Sequence, residues 1–201
     1  RALRGLPNVS DTTRAAVRTA AAELGYVANA MARGLRTSSS MAIGVVIPDL
    51  TTPFFPPIVR GIEHFLQPRG YTVLLANTDS SEAIERAVVA SLLGRRVDGL
   101  IIASGVKDHQ SALAEAHAVG AKAVMLNRDA GSALYPLVAG NDASGVAAAV
   151  AHLAQLGHRD LVHIAGPLEL STSATRSSAF VEACRSIPRA RARVVEAEAL
   201  T

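Results

Sequence analysis

From residue 43 onward the sequence repeats one unit, a short apolar run of strand character followed by a helical stretch, returning about every 25 to 30 residues. The strand-like runs are 43–47, 73–76, 100–103, 123–126 and 161–165, and the helical stretches lie near 54–67, 82–93, 110–119, 144–156 and 175–185. Strands joined through helices pair in parallel, because each crossover returns the chain to the same end of the sheet. The predicted fold class is therefore α/β, with parallel sheets covered by helices on both faces and ligands bound beyond the carboxyl ends of the strands. The polar residues at those ends form the candidate site: Asp49, Thr51 and Thr52, then Asn77 and Asp79, Ser104, Asn127 and Arg128, and finally Ser171, Thr172 and Ser173. Phe54 and Phe55 also stand out, since the chain has only three Tyr and four Phe and no Trp. Two adjacent rings in a loop with Pro53, Pro56 and Pro57 can stack on a ligand, or one can fill the core while the other covers it.

With 49% hydrophobic and 18% charged residues, a chain of 201 residues has enough apolar surface for a real core, which excludes disorder. No apolar run approaches the roughly 18 residues of a membrane span, so a soluble protein without a membrane partner is expected. Cys184 is the one cysteine and cannot form an internal disulfide, and no secretory signal opens the chain; a cytoplasmic location is expected. The start at Arg1 and the stop at Thr201 read as a piece of a longer protein. The histidines (His64, His109, His117, His152, His158, His163) show no ligand spacing with the cysteine, so no metal is expected. Neither a dinucleotide glycine fingerprint nor a phosphate-binding loop is present, so no cofactor is expected. His158-Arg159-Asp160 matches a kinase catalytic tripeptide, but the other kinase motifs are missing and it sits between a helix and a strand. No catalytic residue is assigned, and the chain is read as a non-enzyme.

Charge is unevenly placed. Residues 1–40 hold six arginines against Asp11 and Glu23, while the other 161 residues carry 14 basic and 15 acidic side chains. A basic head on a near-neutral body fits a polyanion binder, although an arginine-rich helix can also be only a solvated face. In the head, Ser10 is a good N-cap and Gly25 a good stop, which predicts a helix from about Asp11 to Leu24. Val17, Ala21 and Leu24 share one stripe and are expected to pack, whereas Arg14 and Arg18 share another that meets solvent or phosphate. Beyond the stop, Asn29 can cap a helix of one or two turns ending near Leu35. So short a helix is marginal alone, and Gly34 costs roughly 1 kcal/mol relative to Ala, so the segment is expected to fold conditionally. A short helix carrying Arg33 and Leu35 before a serine linker suits minor-groove insertion; a flexible linker is the plainer alternative.

The order of these motifs resembles the lactose-repressor (LacI/GalR) family of bacterial transcription regulators. The resemblance is carried by Asn8-Val9-Ser10 through Thr13-Arg14, Glu23-Leu24-Gly25-Tyr26, Asn29-Ala30, and Ala32-Arg33-Gly34-Leu35-Arg36-Thr37. It continues through Ile43-Gly44-Val45-Val46-Ile47-Pro48-Asp49, Pro53-Phe54-Phe55, Gly61-Ile62-Glu63, Arg96-Val97-Asp98-Gly99-Leu100-Ile101, Gly157-His158-Arg159 and Ala165-Gly166-Pro167.

The resemblance implies the end of a helix-turn-helix DNA-binding head (1–28), a hinge helix and linker (29–40), and an effector-binding body similar to periplasmic binding proteins. That body would comprise an N-subdomain (41–140) and the first part of a C-subdomain (141–201). The implied DNA-contacting residues are Arg1, Asn8, Tyr26, Asn29, Met31, Ala32, Arg33, Leu35 and Arg36, with Leu35 at the intercalating position. The implied effector-binding residues are Phe54, Phe55, Asn77, Ser104, Arg128, Asn141, Thr172 and Arg176. Ala28 stands where the family usually has proline, Gly34 where serine is common, and Gly140 and Asn127 where Asp is frequent. The implied partners are near-palindromic double-stranded operator DNA, a small-molecule effector such as a sugar, and a second copy in a homodimer. A periplasmic solute-binding protein of the same body fold is the alternative, but it predicts a signal peptide and no basic head.

Overall fold

In a computed structural model the chain forms two compact units, Arg1–Ser40 and Met41–Thr201. The structure describes residues 2–4, 7–26, 39–103, 111–131 and 133–197. The predicted hinge segment lies outside the described residues.

In the first unit a 3-10 turn, Ala2–Arg4, precedes helix α1, Asp11–Glu23. The predicted cap is present: Ser10 Oγ accepts from Thr13 N at 3.2 Å, and Leu24 and Gly25 close the helix through bonds to Ala20 O and Ala22 O. The expected packing stripe is shorter than predicted. Val17 and Ala21 are half-buried, but Leu24 is exposed, and no residue of α1 is fully buried. Leu24 is the C-cap, at the end of the helix, where no described residue covers it. Arg14 pairs with Asp11 at 3.1 Å.

The second unit is built on two parallel sheets. Strands β1 (Ala42–Ile47), β2 (Thr72–Asn77), β3 (Gly99–Ile102), β4 (Ala123–Leu126) and β5 (Leu137–Val138) form the first, in the order β2-β1-β3-β4-β5. Strands β6 (Asp160–Ala165) and β7 (Arg191–Glu196) form the second. The helices between them are α2 (Phe55–Leu66), α3 (Glu82–Gly94), α4 (Ser111–Ala118), α5 (Asp142–Gln155) and α6 (Ser171–Arg185).

Strand β1 reads as a continuous apolar run because it is covered twice. Val46 faces a core of Val89, Leu92, Leu100, Ile102, Leu113 and Met125 under α3 and α4, while Val45 and Ile47 face Phe55 and Val59 of α2. Gly44 lies on the α3 side, where an added Cβ would come within 2.8 Å of both Leu92 Cδ1 and Leu100 Cδ2, so only glycine lets those leucines close over the strand. In the second sheet, Leu161 packs with Val150 of α5 and with Phe180 and Cys184 of α6. The strand order reverses at β1, with β2 on one side and β3 on the other. The loops after β1 and β3 therefore diverge, and that is where such sheets open a ligand crevice. Among the described residues no helix is long and apolar enough to cross a membrane.

Candidate functional site at the strand ends

The carboxyl end of β1 is tied down by its own side chains. Asp49 accepts from Thr51 N at 2.8 Å and Thr51 Oγ1 at 2.7 Å, and more weakly from Thr52 Oγ1 at 3.5 Å. These bonds, the Thr51 hydroxyl first, hold the Asp49 carboxyl below the ordinary carboxylate range. Asn77 at the end of β2 accepts from Leu50 N at 3.1 Å, which fixes this loop against the neighbouring strand. The aromatic pair divides its labour. Phe55 is buried against Val45, Ile47 and Val59, whereas Phe54 is 46% exposed and stands edge-on to it, with centroids 5.1 Å apart. Of the two rings only that of Phe54 is open to solvent, and Phe55 supports it from the core.

After β4 the chain makes an unusual turn. Asn127 has φ of 65° and Arg128 N donates to Leu126 O at 2.7 Å, a three-residue turn of the strained, positive-φ kind that asparagine tolerates better than most residues. Asn127 N is held by Val138 O at 2.8 Å, and Asp129 N donates to Ser171 Oγ at 2.9 Å. Arg128 is thereby fixed in backbone between β4 and the first turn of α6. Its side chain is buried, at 8% exposure, and its Nε and Nη1 have no hydrogen-bond partner. Burial pushes the guanidinium pKa down, yet arginine keeps its charge at any physiological pH.

Arg176 is in a different situation. Its Nε and Nη2 grip the Asp142 carboxylate at 3.0 and 3.1 Å, a two-pronged pair at the surface. Asn141 is spent locally, its side chain accepting from Ser144 N at 3.0 Å as the cap of α5. Thr172 and Ser173 are buried in the first turn of α6, and one turn further Ser177 Oγ is buried without a partner. Asn8 and Tyr26 belong to the first unit; Asn8 has φ of 69° and Tyr26 is exposed. Arg1, Asn29, Met31, Ala32, Arg33, Leu35, Arg36 and Ser104 lie outside the described residues.

Two members of this region escape a reading by strand ends. Asp142 is the partner of Arg176, and its only sequence signal is an acid in the first turn of a helix. Ser177 continues the buried stripe Ser173, Ser177, Phe180, Cys184, whose spacing of four, three and four was legible once α6 was extended to Ser171. The His158-Arg159-Asp160 tripeptide is used for structure: Arg159 Nη1 donates to Ala154 O and His158 O at 2.7 and 2.8 Å, and Asp160 pairs with Arg191 across the second sheet. A cavity of 370 Å³ runs beside β2 against α3, lined by Val73, Leu75, Val88 and Arg95 among others, and contains none of the strand-end residues. Among the described residues no cluster of His, Cys, Asp and Glu is arranged to hold a metal ion.

Comparison with known proteins places these features. The family model described as periplasmic binding proteins and sugar binding domain of LacI family matches residues 40–197. The chain is 33% identical over 174 residues to the ribose operon repressor of Halalkalibacterium halodurans, covering 87% of this chain and 51% of that protein. It is 32% identical over 176 residues to the transcriptional repressor PurR of Proteus mirabilis, covering 87% and 52%. Among solved structures, the Lac repressor bound to ONPG in the repressed state superposes with a TM-score of 0.82 at 27% identity, over 98% of this chain and 60% of that one. The Cra regulator of Pseudomonas putida in complex with fructose 1-phosphate gives 0.73 at 26%, over 79% and 58%. The chain spans about half the length of the curated relatives it matches. With its parallel sheets and a family match across most of its length, the chain belongs to the LacI family.

Proposed function

We propose that this chain is part of a sequence-specific DNA-binding transcriptional repressor whose operator affinity is set by a small polar effector, a sugar or a related metabolite, bound at the strand ends. The observation that carries this reading is the extent of the likeness. The Lac repressor matches over 98% of the chain, the basic first unit included, whereas a solute carrier would share only the body. A further likeness, to the Lac repressor dimer bound to operator and the anti-inducer ONPF, has a TM-score of 0.80 at 26% identity over 98% of this chain and 60% of that one. On this reading the protein is a cytoplasmic homodimer without enzymatic activity, and it sits on a near-palindromic operator.

Within that scheme, residues 1–28 end a helix-turn-helix head, 29–40 form the hinge, and 41–140 and 141–201 belong to two subdomains. The change from the first sheet to the second supports the last division. Asn8 and Tyr26 contact the DNA backbone together with Arg1, and Asn29, Met31, Ala32, Arg33, Leu35 and Arg36 enter or flank the minor groove. The effector meets Phe54, Ser104, Arg128, Thr172 and Arg176, while Phe55, Asn77 and Asn141 hold the surrounding loops in place. Effector binding shifts the closure of the two subdomains and so the separation of the paired hinges. It acts on DNA only through its differential affinity for the two closures, typically about 1–3 kcal/mol.

A thermal-shift screen of sugars and nucleobases on the intact protein, followed by operator-binding anisotropy with each hit, tests this reading. A stabilising ligand that also changes operator affinity supports it; one that leaves operator affinity unchanged favours a solute carrier. Leu35→Ala in the intact protein is expected to weaken operator binding at least about tenfold while effector affinity stays the same, and undiminished operator affinity removes Leu35 from the hinge role.

A further inference from the structure

Two arginines stand near the strand ends, and only one has its counter-charge. Arg176 is neutralised by Asp142. Arg128 is more deeply buried and has two guanidinium nitrogens, Nε and Nη1, sealed from solvent with nothing to donate to. A buried charge without a partner is costly, and a fold keeps one where something outside the chain completes it.

The surroundings point to what completes it. Asp129 N bonds Ser171 Oγ, so Arg128 stands one residue from the first turn of α6. That helix is 15 residues long, begins without a side-chain cap and has no acidic residue in its first turn. Its N-terminal pole is therefore uncompensated, and the buried hydroxyls of Thr172, Ser173 and Ser177 lie along its first two turns. Among the described residues, the carboxylates of the neighbouring strand-end loops and helix starts are engaged elsewhere: Asp129 holds Gly131 N at 2.8 Å, Asp49 holds Thr51, and Asp142 holds Arg176. A planar fork of donors on a residue whose backbone neighbour bonds the first turn of a helix matches an oxyanion better than a neutral hydroxyl.

We infer that the effector of this protein carries an oxyanion, a carboxylate or a phosphate, seated on the Arg128 guanidinium at the N-terminus of α6. This rests on the reading of the strand ends as the effector site and narrows the class of molecule bound there. The strained turn at Asn127 serves to present Arg128, and Arg176 remains tied to Asp142 at the edge of the site.

The test uses thermal unfolding of the intact wild-type protein and of Arg128→Met and Arg128→Lys, each titrated with inorganic phosphate, with acetate, and with sodium chloride at matched ionic strength. Without added oxyanion, Arg128→Met is expected to melt higher than wild type by at least about 2 °C, because the unpaired charge is gone. Wild type gains stability from phosphate or acetate in a saturable way beyond the chloride effect, Arg128→Lys keeps a gain with affinity weakened about tenfold, and Arg128→Met shows none. A gain from phosphate alone assigns a phosphorylated ligand, and one from acetate a carboxylate ligand. The inference is overturned if Arg128→Met melts lower than wild type or does not fold, if neither oxyanion exceeds chloride, or if Arg128→Met keeps the gain. Anisotropy with an operator duplex selected in vitro separates this from the function proposed above. Operator binding without an oxyanion gain overturns the inference alone, and an Arg128-dependent gain without operator binding overturns the repressor reading alone.

Discussion

The two sheets of the second unit follow the same strand–helix grammar and reach different degrees of closure. In the first, β1 and β3 are covered on both faces, and Val45, Val46, Ile47 and Ile102 are buried almost completely. In the second, β6 buries Leu161 and Ala165 under α5 and α6, but Val162 and Ile164 on its other face are exposed, Ile164 by 74%. Strand β7 adds Arg191, Arg193 and Glu196, and all three are exposed. A strand of continuous apolar residues is covered by helices on both faces in the first sheet, whereas β6 carries apolar Val162 and Ile164 on a face that no described residue covers. The first sheet is thus covered on both sides at β1, while β6 of the second packs on α5 and α6 through Leu161, Val150, Phe180 and Cys184.

That contrast can be broken most sharply in the core. Ile102→Ala is expected to cost about 2–5 kcal/mol in urea unfolding, whereas Ile164→Ala changes the stability of this chain by no more than about 0.5 kcal/mol. Equal costs would show that the two faces are not differently covered. Gly44→Ala comes next, at about 1–3 kcal/mol, because the new methyl meets the ends of Leu92 and Leu100 in a core with no slack. A neutral result there would mean that those leucines have room to move.

The smallest effect concerns acid stability and belongs to the second sheet. Arg191 donates to Asp160 through Nε and, at 2.8 Å, through Nη2, and this bond holds the Asp160 carboxyl below its ordinary range. A carboxyl whose pKa is lower folded than unfolded contributes stability above its unfolded pKa, and that contribution is lost as pH falls through the folded value. Asp160→Asn should therefore remove a small part of the pH dependence on the acid limb and leave neutral-pH chemistry at the strand ends untouched. The variant is expected to melt slightly lower than wild type at neutral pH, with the difference vanishing in acid; a difference that persists or grows below the carboxylate range would contradict this.

Much of the fold was legible because five strands carry compact apolar runs: β1, β2, β3, β4 and β6 fall within two residues of their predicted spans. Strand β5 is two exposed residues, and β7 carries charge at half its positions, so neither has an apolar run to announce it. Helix α6 starts at Ser171, not near residue 175, because Ser, Thr and Ser read as loop or cap chemistry until their burial against the rest of the unit is known. The strand-end residues were legible as candidates from the alternation, and Asn141 and Arg176 only from the family resemblance. What did not follow is tertiary: that Phe55 goes to the core and Phe54 does not, that Asp142 claims Arg176, and that Arg128 is buried with nothing to claim it. Residue type gives the valence of a side chain, and only the packed chain shows whether it is filled.

On the proposed reading, a ligand held at the strand ends controls DNA binding. That control is tested most directly by titrating a fluorescent operator duplex with the intact protein, with and without a ligand that raises its melting temperature. Such a ligand is expected to change operator affinity by about 5- to 150-fold. A ligand that stabilises the protein and leaves the operator isotherm where it was would contradict this reading.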